Sequence, residues 1–214
     1  MASYARVIKI VPERTAFFVC DIQDRMRGAV SNYDSVIKTA ARMVRVAELF
    51  KVPVVITEQV PKVFQGTVPE VMDRFSTLPE SQRFGPYPKT KFGMIIPEVE
   101  TILSQKDIQS VVLFGVESHI CIVQTAMALL AGGKDVHALA DGVSSINAEE
   151  VPIALARMRQ AGASVTTSES LVYEMMGDAG DSSKFKPFAA VMKEEKSNIS
   201  ESLKSLLGNA GTSV

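Results

Sequence analysis

The chain of 214 residues lacks the features that mark several large classes of protein. Lys and Arg number 23 and Asp and Glu number 24, which gives a formal net charge of −1. No long cluster of Lys or Arg occurs, whereas a surface that binds nucleic acid usually carries one. The longest apolar runs are far shorter than the ~20 residues that a membrane-spanning helix needs. The sequence therefore predicts that neither nucleic acid nor a membrane is a partner.

Cysteine and histidine are equally scarce, with two residues of each. Cys20 and Cys121 are too few to cross-link a fold of this size. Arg6 and Lys9 interrupt the first apolar residues, so nothing there resembles a secretory signal. We therefore expect a cytoplasmic protein whose thiols are reduced. Two histidines far apart in the sequence also give poor support for a zinc site, and no metal is expected.

What the sequence does contain is an alternation of strand-like and helix-like segments. Short apolar runs rich in Val, Ile and Phe have the pattern of strands that are buried on both faces. These runs cover residues 15–20, 52–57, 110–115, 136–140 and 163–167, with a weaker sixth run near 84–89. Helical periodicity covers residues 35–50, 97–103, 121–130 and 149–160. The alternation predicts a single α/β domain with a doubly wound, Rossmann-like parallel sheet flanked by helices.

Two regions depart from this alternation. Residues 59–91 contain five prolines and few periodic apolar residues. We expect a long loop there, functional or mobile, over the carboxyl edge of the sheet. Residues 189–214 are rich in Lys, Glu and Ser and favour a marginal helix followed by a frayed end. The predicted domain therefore covers residues 5–188, and a C-terminal tail, partly helical and then flexible, covers 189–214.

Polar residues follow the predicted strands, at the edge where doubly wound sheets bind ligands. Asp21 follows the first strand, Gln59 the second and Cys121 a later one, while Asp141 ends the strand after that. Asp21 has two possible roles, as a turn or helix-capping carboxylate and as a general base. Cys20 is expected to point to the opposite side of its strand, into the core.

Cys121 is the candidate nucleophile. It lies where a buried strand turns into an amphipathic helix, and unpaired N–H groups and the helix dipole favour thiolate over thiol at such a position. A lysine near both Asp21 and Cys121 would stabilise that thiolate, and sequence spacing alone does not choose between Lys89 and Lys91. His119 is the other possible base, although neighbouring loop residues rarely present both side chains to one point.

Six segments, taken in order, resemble the isochorismatase-like cysteine hydrolases, and most closely the isochorismatase domain-containing proteins of the second type. They cover residues 18–23, 55–59, 89–94, 115–121, 136–145 and 156–163. The resemblance implies an isochorismatase-like hydrolase fold with a six-stranded parallel sheet, usually assembled into homo-oligomers. It also implies a catalytic triad of Asp21, Lys89 and Cys121. Lys89 fits the family spacing because it lies three residues before an aromatic residue, Phe92.

The family also has a non-proline cis peptide bond in the loop before the cysteine, which here would join Val116 to Glu117. The resemblance implies that the backbone N–H groups of Glu117 and Cys121 bind an oxyanion. Family members that hold a metal use an Asp-x-His motif, whereas Gln23 stands at the histidine position here. The resemblance therefore implies neither metal nor cofactor. Residues expected to contact the substrate are Gln23, Gln59, Phe64, Phe92 and His119.

These residues predict a metal-independent cysteine hydrolase that acts on a small amide or a related carbonyl compound through a thioester. One alternative is a catalytically quiet protein that keeps the fold and acts by binding other proteins. A second is a redox-reactive thiol protein, for which Cys20 is expected to be too buried to act as resolving partner. A nuclease is the least favoured alternative, because the net charge is close to zero.

Overall fold

The computed structural model describes residues 9–208 of the chain. A six-stranded parallel sheet with the order β3-β2-β1-β4-β5-β6 forms its centre. The strands are β1 Thr15–Cys20, β2 Val54–Gln59, β3 Arg83–Lys89, β4 Ser110–Val116, β5 Asp135–Ser144 and β6 Ser164–Thr166. The predicted doubly wound parallel fold is therefore confirmed, including the weakly indicated strand that becomes β3.

Helices cover both faces of the sheet. They are α1 Tyr33–Phe50, α2 Pro61–Phe64, α3 Pro69–Thr77, α4 Pro97–Gln105, α5 Val123–Ala131, α6 Glu150–Gln160, α7 Ser168–Met176, α8 Ser182–Glu194 and α9 Lys196–Leu207. Apolar residues of α1, α3, α7, α8 and α9 pack on one face, and those of α4, α5 and α6 pack on the other. Within residues 9–208, no helix combines the length and the apolar character that crossing a bilayer requires.

Strand β1 shows why these apolar runs become central strands. Its six residues are all buried. Phe17 and Val19 join the apolar cluster on one face, while Phe18 and Cys20 join the cluster on the other. Successive side chains of a strand point to opposite faces, so a continuous apolar run supplies two cores at once.

The region 59–91 does not form the long loop that its prolines predict, and that expectation was wrong. Pro61 and Pro69 are the first residues of α2 and α3, where the missing N–H has no helical partner in any case. Pro86 follows a cis peptide bond within β3. The prolines therefore begin helices and shape an edge strand, and α3 packs its apolar residues on the core.

The C-terminal region is more closely packed than a marginal helix. The boundary predicted at residue 188 lies inside α8, and Phe188 is buried in the same apolar cluster as α1. Ile199 of α9 is buried in that cluster as well. The predicted start of the domain at residue 5 and the predicted frayed end at 209–214 lie outside the described residues.

The order of strands reverses at β1 and β4, which are neighbours in the sheet. This is the point at which doubly wound sheets bind their ligands. Gly115 of β4 has φ 127°, and a Cβ at this position would collide with the carbonyl oxygen of Cys20. Glycine therefore permits the close approach of the two carboxyl ends, and the segments that follow them start side by side.

Candidate active site

The structure brings together three of the predicted site residues at the carboxyl ends of the strands. Asp21 follows β1, Lys89 is the last residue of β3, and Cys121 lies in the turn after β4. Lys89 Nζ is 2.7 Å from Asp21 Oδ2 and 3.9 Å from Cys121 Sγ. The three residues are 3%, 4% and 6% exposed, respectively. A cation thus lies between a carboxylate and a thiol that are both largely shielded from solvent.

The ammonium group of Lys89 is held by further oxygen acceptors. It donates to Gln59 Oε1 at 2.6 Å and to the carbonyl oxygens of Phe92 at 2.8 Å and Lys91 at 3.1 Å. Burial acts to lower the pKa of Lys89, but the nearby groups that can carry negative charge outweigh it, and the pKa is raised. Lys89 therefore stays protonated at neutral pH. Lys91, the alternative lysine, is exposed.

Asp21 is fixed by its backbone and by β2. Its φ of 52° lies in the left-handed region, which Asp adopts more readily than most residues. Thr57 Oγ1 donates to Asp21 Oδ1 at 2.8 Å, and the Asp21 N–H donates to the carbonyl of Thr57 at 3.2 Å. One carboxylate oxygen is therefore bonded to Thr57 and the other to Lys89.

Cys20 lies beside this group, which corrects the prediction that it faces away from Asp21. Its Sγ is 3.6 Å from Asp21 Oδ2. The alternation of side chains holds within β1, but the left-handed turn at Asp21 brings the carboxylate back to the Cys20 side. Burial, followed by contact with Cys121 and the charge of Asp21, raises the pKa of Cys20 well above its usual value.

Cys121 lies in a π-helical turn, Ser118–Ile122, and α5 begins two residues later than the predicted helix. Such turns occur frequently at functional sites. The Glu117 carbonyl accepts from the N–H groups of Ile120 and Ile122, both at 3.2 Å. Thr125 Oγ1 donates to the Cys121 carbonyl at 2.6 Å and so ties the turn to α5. The peptide bond between Val116 and Glu117 is cis.

Two of the predicted substrate contacts support the site instead of facing an open space. Gln23 is 1% exposed, and its Nε2 donates to the carbonyls of Gln59 at 3.0 Å and Gln65 at 2.7 Å. Its Oε1 accepts from the Gln59 N–H at 2.7 Å. Gln59 in turn holds Lys89 and donates through Nε2 to the carbonyl of Thr90 at 3.0 Å. The two amides therefore connect the end of β2 to the segments that follow β2 and β3.

The other predicted contacts lie around these residues. Phe64 ends the short helix α2 and is half-buried, whereas Phe92 is 52% exposed. His119 is half-buried in the turn that holds Cys121, and its Nδ1 lies 3.0 Å from Ser145 Oγ. Ser145 also bonds with Ser118, so His119 belongs to a polar group that braces the turn.

Asp141 does not join this site, although its position at the end of a predicted strand indicated that it would lie at the ligand-binding edge of the sheet. It lies inside β5, which continues to Ser144. Its carboxylate accepts from the Ser168 N–H at 2.7 Å and lies 3.6 Å from Arg42 Nη2. The sequence does not predict this buried ion pair, because Arg42 has the position of an exposed cation between the apolar residues of an amphipathic helix. The one sequence feature that could have indicated burial of Arg42 is its position next to the apolar residue Met43.

Among residues 9–208, one group of His, Cys, Asp and Glu side chains is compact enough to hold a metal ion. It comprises Cys20, Asp21 and Cys121, whose ligand atoms lie within 4.8 Å of one another. The Lys89 ammonium already contacts two of these three residues. Its positive charge would oppose a second cation at the same position.

The chain is similar to known proteins in sequence and in structure. The Isochorismatase domain family matches residues 15–170. Isochorismatase domain-containing protein 1 of Salmo salar is 40% identical over 185 residues, which cover 86% of this chain and 62% of that protein. The chain thus spans less than two thirds of that relative. Isochorismatase domain-containing protein 2 of Xenopus laevis is 39% identical over 195 residues, 91% of each chain.

Solved structures of other proteins share this fold. The MAR1 ribonuclease of Caenorhabditis elegans is 35% identical with a TM-score of 0.79, covering 86% of this chain and 92% of that one. The YcaC protein of Escherichia coli, described as an octameric hydrolase of unknown specificity, shares the fold at 19% identity. Its TM-score is 0.75 over 97% of this chain and 98% of that one. Together with the fold and the grouped side chains, these similarities show that the chain belongs to the isochorismatase family.

Proposed function

We propose that this protein is a metal-independent cysteine hydrolase that cleaves a small amide or a related C–N carbonyl compound. One observation carries the proposal, namely the Lys89 ammonium between the Asp21 carboxylate and the Cys121 sulfur, at 2.7 and 3.9 Å. A buried cation in contact with both groups keeps a negative charge on either of them favourable. In this reading, Asp21, Lys89 and Cys121 form the catalytic triad.

The reaction begins with transfer of the Cys121 thiol proton to Asp21. A carboxylate oxygen lies within 4.8 Å of Cys121 Sγ, and catalytic contacts of this kind often tighten when substrate binds. The thiolate attacks the carbonyl carbon, and the oxyanion is received by the backbone N–H groups of Glu117 and Cys121. Losing one such donor typically costs about 2.7–4 kcal/mol of transition-state stabilisation.

The second half of the reaction releases both products. Asp21 returns the proton to the leaving nitrogen, so that ammonia or an amine departs and a thioester to Cys121 remains. A water molecule then gives a proton to Asp21 and attacks the thioester. The carboxylic acid leaves, and the Cys121 thiol forms again. Overall, one water is consumed for each C–N bond that is cleaved.

We assign positioning roles to Thr57, Gln59 and Gln23. Thr57 and Gln59 hold Asp21 and Lys89 directly. Gln23 holds the backbone of Gln59. Phe64, Phe92 and His119 remain the proposed substrate contacts.

The first test is the rate at which iodoacetamide alkylates Cys121 at neutral pH. Lys89→Ala should slow alkylation about tenfold or more, because it removes the ammonium that lies 3.9 Å from the reacting sulfur. The matched control is Lys91→Ala, which removes an exposed lysine two residues away and should leave the rate unchanged. Equal rates in the wild type and both variants would remove the basis for the triad.

Hydrolysis itself is tested by ammonia release from a panel of small primary amides, with Cys121→Ala as the inactive control. The name of the C. elegans relative makes RNA cleavage a second activity to measure, and a labelled oligonucleotide serves as the probe. The net charge of −1 argues against RNA as substrate. Cleavage of RNA that persists in Cys121→Ala, without amide turnover, would replace the proposal with a nuclease. If the protein shows neither activity, the result would favour the alternative of a catalytically quiet protein that acts by binding other proteins.

Assembly and location complete the proposal. We propose a homo-oligomer in the cytoplasm, in keeping with the E. coli relative described as octameric. Ile153 of α6 is 65% exposed and Tyr173 of α7 is 50% exposed, and large apolar side chains of this kind are often covered by a second subunit. Light scattering on the purified protein measures the subunit number directly.

A further inference from the structure

Cys20 is a second thiol at the candidate site, and the proposed hydrolysis gives it no step. Its Sγ lies within 4.8 Å of Cys121 Sγ, and both side chains belong to the same apolar cluster. A disulfide needs the two sulfurs about 2.05 Å apart. Joining them therefore requires the two sulfurs to move toward each other from that separation.

We propose that Cys121 and Cys20 form a reversible intramolecular disulfide after a hydroperoxide oxidises Cys121. The site thereby contains its own resolving thiol. Such a disulfide departs from the expectation that Cys20 is too buried to act as a resolving partner. Burial separates Cys20 from solvent but not from Cys121. To resolve a sulfenic acid on Cys121, Cys20 needs to reach only the Cys121 sulfur.

The two steps balance without any further reagent. Asp21 takes the thiol proton of Cys121, and the thiolate attacks the terminal oxygen of the hydroperoxide. The O–O bond breaks, and Asp21 gives that proton to the departing alkoxide, which becomes an alcohol. Cys121 is oxidised to the sulfenic acid and the peroxide is reduced. Cys20 then loses its proton to Asp21, 3.6 Å away, and attacks the Cys121 sulfur. Hydroxide leaves with that proton as water, and Asp21 is a carboxylate again.

The environments of the two sulfurs set the order of these steps. Cys121 is 6% exposed and lies 3.9 Å from the Lys89 ammonium, so a hydroperoxide reaches a sulfur that can be anionic. Cys20 is fully buried, and burial raises its pKa well above the usual value, so it stays a thiol until Asp21 takes its proton. Cys121 therefore oxidises first and Cys20 responds.

The experiment oxidises the folded protein with hydrogen peroxide, blocks free thiols with N-ethylmaleimide and digests with trypsin. Cleavage after Lys and Arg places Cys20 in peptide 15–25 and Cys121 in peptide 107–134. The expected product is a disulfide within one chain, which joins these two peptides with the loss of two hydrogens. Dithiothreitol should separate them and restore the reaction of Cys121 with iodoacetamide. None of these readouts requires amide turnover, so they stand apart from the test of hydrolysis.

Two variants sharpen the result, Cys20→Ser and Cys20→Ala. Without the resolving thiol, the sulfenic acid of Cys121 should proceed to sulfinic acid, which dithiothreitol does not reduce. Recovery of the Cys121 thiol should then fall from nearly all of the protein to a small fraction. If neither variant folds, the joined peptides of the wild type decide the question.

Two outcomes would overturn the proposal. The first is sulfinic acid at Cys121 of the wild type with Cys20 recovered as a free thiol after unfolding. The second is a disulfide between the Cys121 residues of two chains. Equal recovery of Cys121 in the wild type and in a folded Cys20 variant would also exclude Cys20 as the resolving thiol.

Discussion

Residues 9–208 contain two buried ion pairs, and one of them has a thiol beside it. Lys89 and Asp21 are 2.7 Å apart with a thiol 3.9 Å from the ammonium. Arg42 and Asp141 are 3.6 Å apart, and Ser168 bonds to both of them. Both pairs are almost fully shielded from solvent. Burial of an ion pair is therefore a poor marker of an active site, and the neighbouring groups make the difference.

The pKa shifts of the two cations express that difference. The pKa of Lys89 is raised, because groups that can carry negative charge at Cys20, Asp21 and Cys121 outweigh its burial. The pKa of Arg42 is lowered, because burial outweighs its attraction to Asp141. Arg42 Nη1 also has no hydrogen-bond partner within residues 9–208. The first site holds more potential negative charge than one cation needs, which suits a reaction in which charge moves.

The largest effect on amide turnover is expected from removing the negative charge of Asp21. Asp21→Asn should lower amide turnover by about 10²–10⁴-fold, the usual range for loss of a general base. The matched control is Asp141→Asn, which removes the buried charge of the second pair. It should reduce stability and leave kcat of the folded protein within about twofold of the wild type.

Turnover, and not alkylation, is the measurement that suits Asp21. Its negative charge opposes a thiolate nearby, so Asp21→Asn can speed alkylation while it stops proton transfer. A kcat that survives Asp21→Asn, or that falls equally in Asp141→Asn, would remove the distinction between the two pairs.

Breaking the pair of Arg42 and Asp141 should reduce stability without affecting the thiol of Cys121. Arg42→Met leaves Asp141 buried without its cation, and breaking a buried pair in this way typically costs about 3–5 kcal/mol. Urea unfolding measures the loss, and the alkylation rate of Cys121 under native conditions should not change. A slower reaction of Cys121 in the folded variant would mean that the two pairs are coupled.

Two threonines allow a finer comparison. Thr57 Oγ1 donates to the charged carboxylate of Asp21, whereas Thr39 Oγ1 donates to the backbone carbonyl of Asp141, both at 2.8 Å. Thr39 Oγ1 also accepts from the Arg42 guanidinium at 3.2 Å. Both Thr57→Val and Thr39→Val should therefore cost about 1.5–3 kcal/mol of stability, because each removes a hydrogen bond to a charged group. Only Thr57→Val should also slow turnover, since it frees Asp21 to rotate. Urea unfolding and kcat should be measured for both threonine variants. A kcat that is lower in Thr39→Val but not in Thr57→Val would contradict the prediction.

The sequence predicted the sheet and the positions of Asp21 and Cys121 because both depend on local pattern. A continuous apolar run specifies a strand with two buried faces, and the residue after it must lie at the edge of the sheet. The choice of Lys89 over Lys91 came from family resemblance. The structure places Lys89 against Asp21 and Cys121, across the width of β2.

The sequence could not place Cys20, Arg42 or Ser168, because their positions depend on long-range geometry. Cys20 contacts Asp21 because the backbone of Asp21 is left-handed, and hydrophobic periodicity does not predict that conformation. Arg42 and Ser168 are 126 positions apart and meet only through folding. The prolines of region 59–91 were misread for another reason, since proline ends a helix and begins one equally well.

The smallest effect is expected at a buried group that belongs to neither pair. His137 of β5 is 1% exposed, and neither ring nitrogen has a hydrogen-bond partner within residues 9–208. Burial lowers the pKa of His137, although the charges of Glu174 and Asp135 oppose the shift. The unfolded chain therefore takes up a proton near pH ~6.5, while the folded protein does so only at lower pH. Stability present above that pH is lost as the pH falls.

His137→Leu removes this titration and replaces the imidazole with an apolar side chain of similar size. Each unit by which the folded pKa is lowered is worth about 1.4 kcal/mol once the pH is below both values. Comparing urea unfolding of the two proteins from pH 7.5 to pH 5, roughly the range in which histidine titrates, cancels the contribution of the carboxylates they share. The wild type should lose more stability than the variant over this range. Parallel pH profiles would mean that the folded protein protonates His137 as readily as the unfolded chain does. In that case burial alone, without an ion pair, would not make a titratable group of this core sensitive to pH.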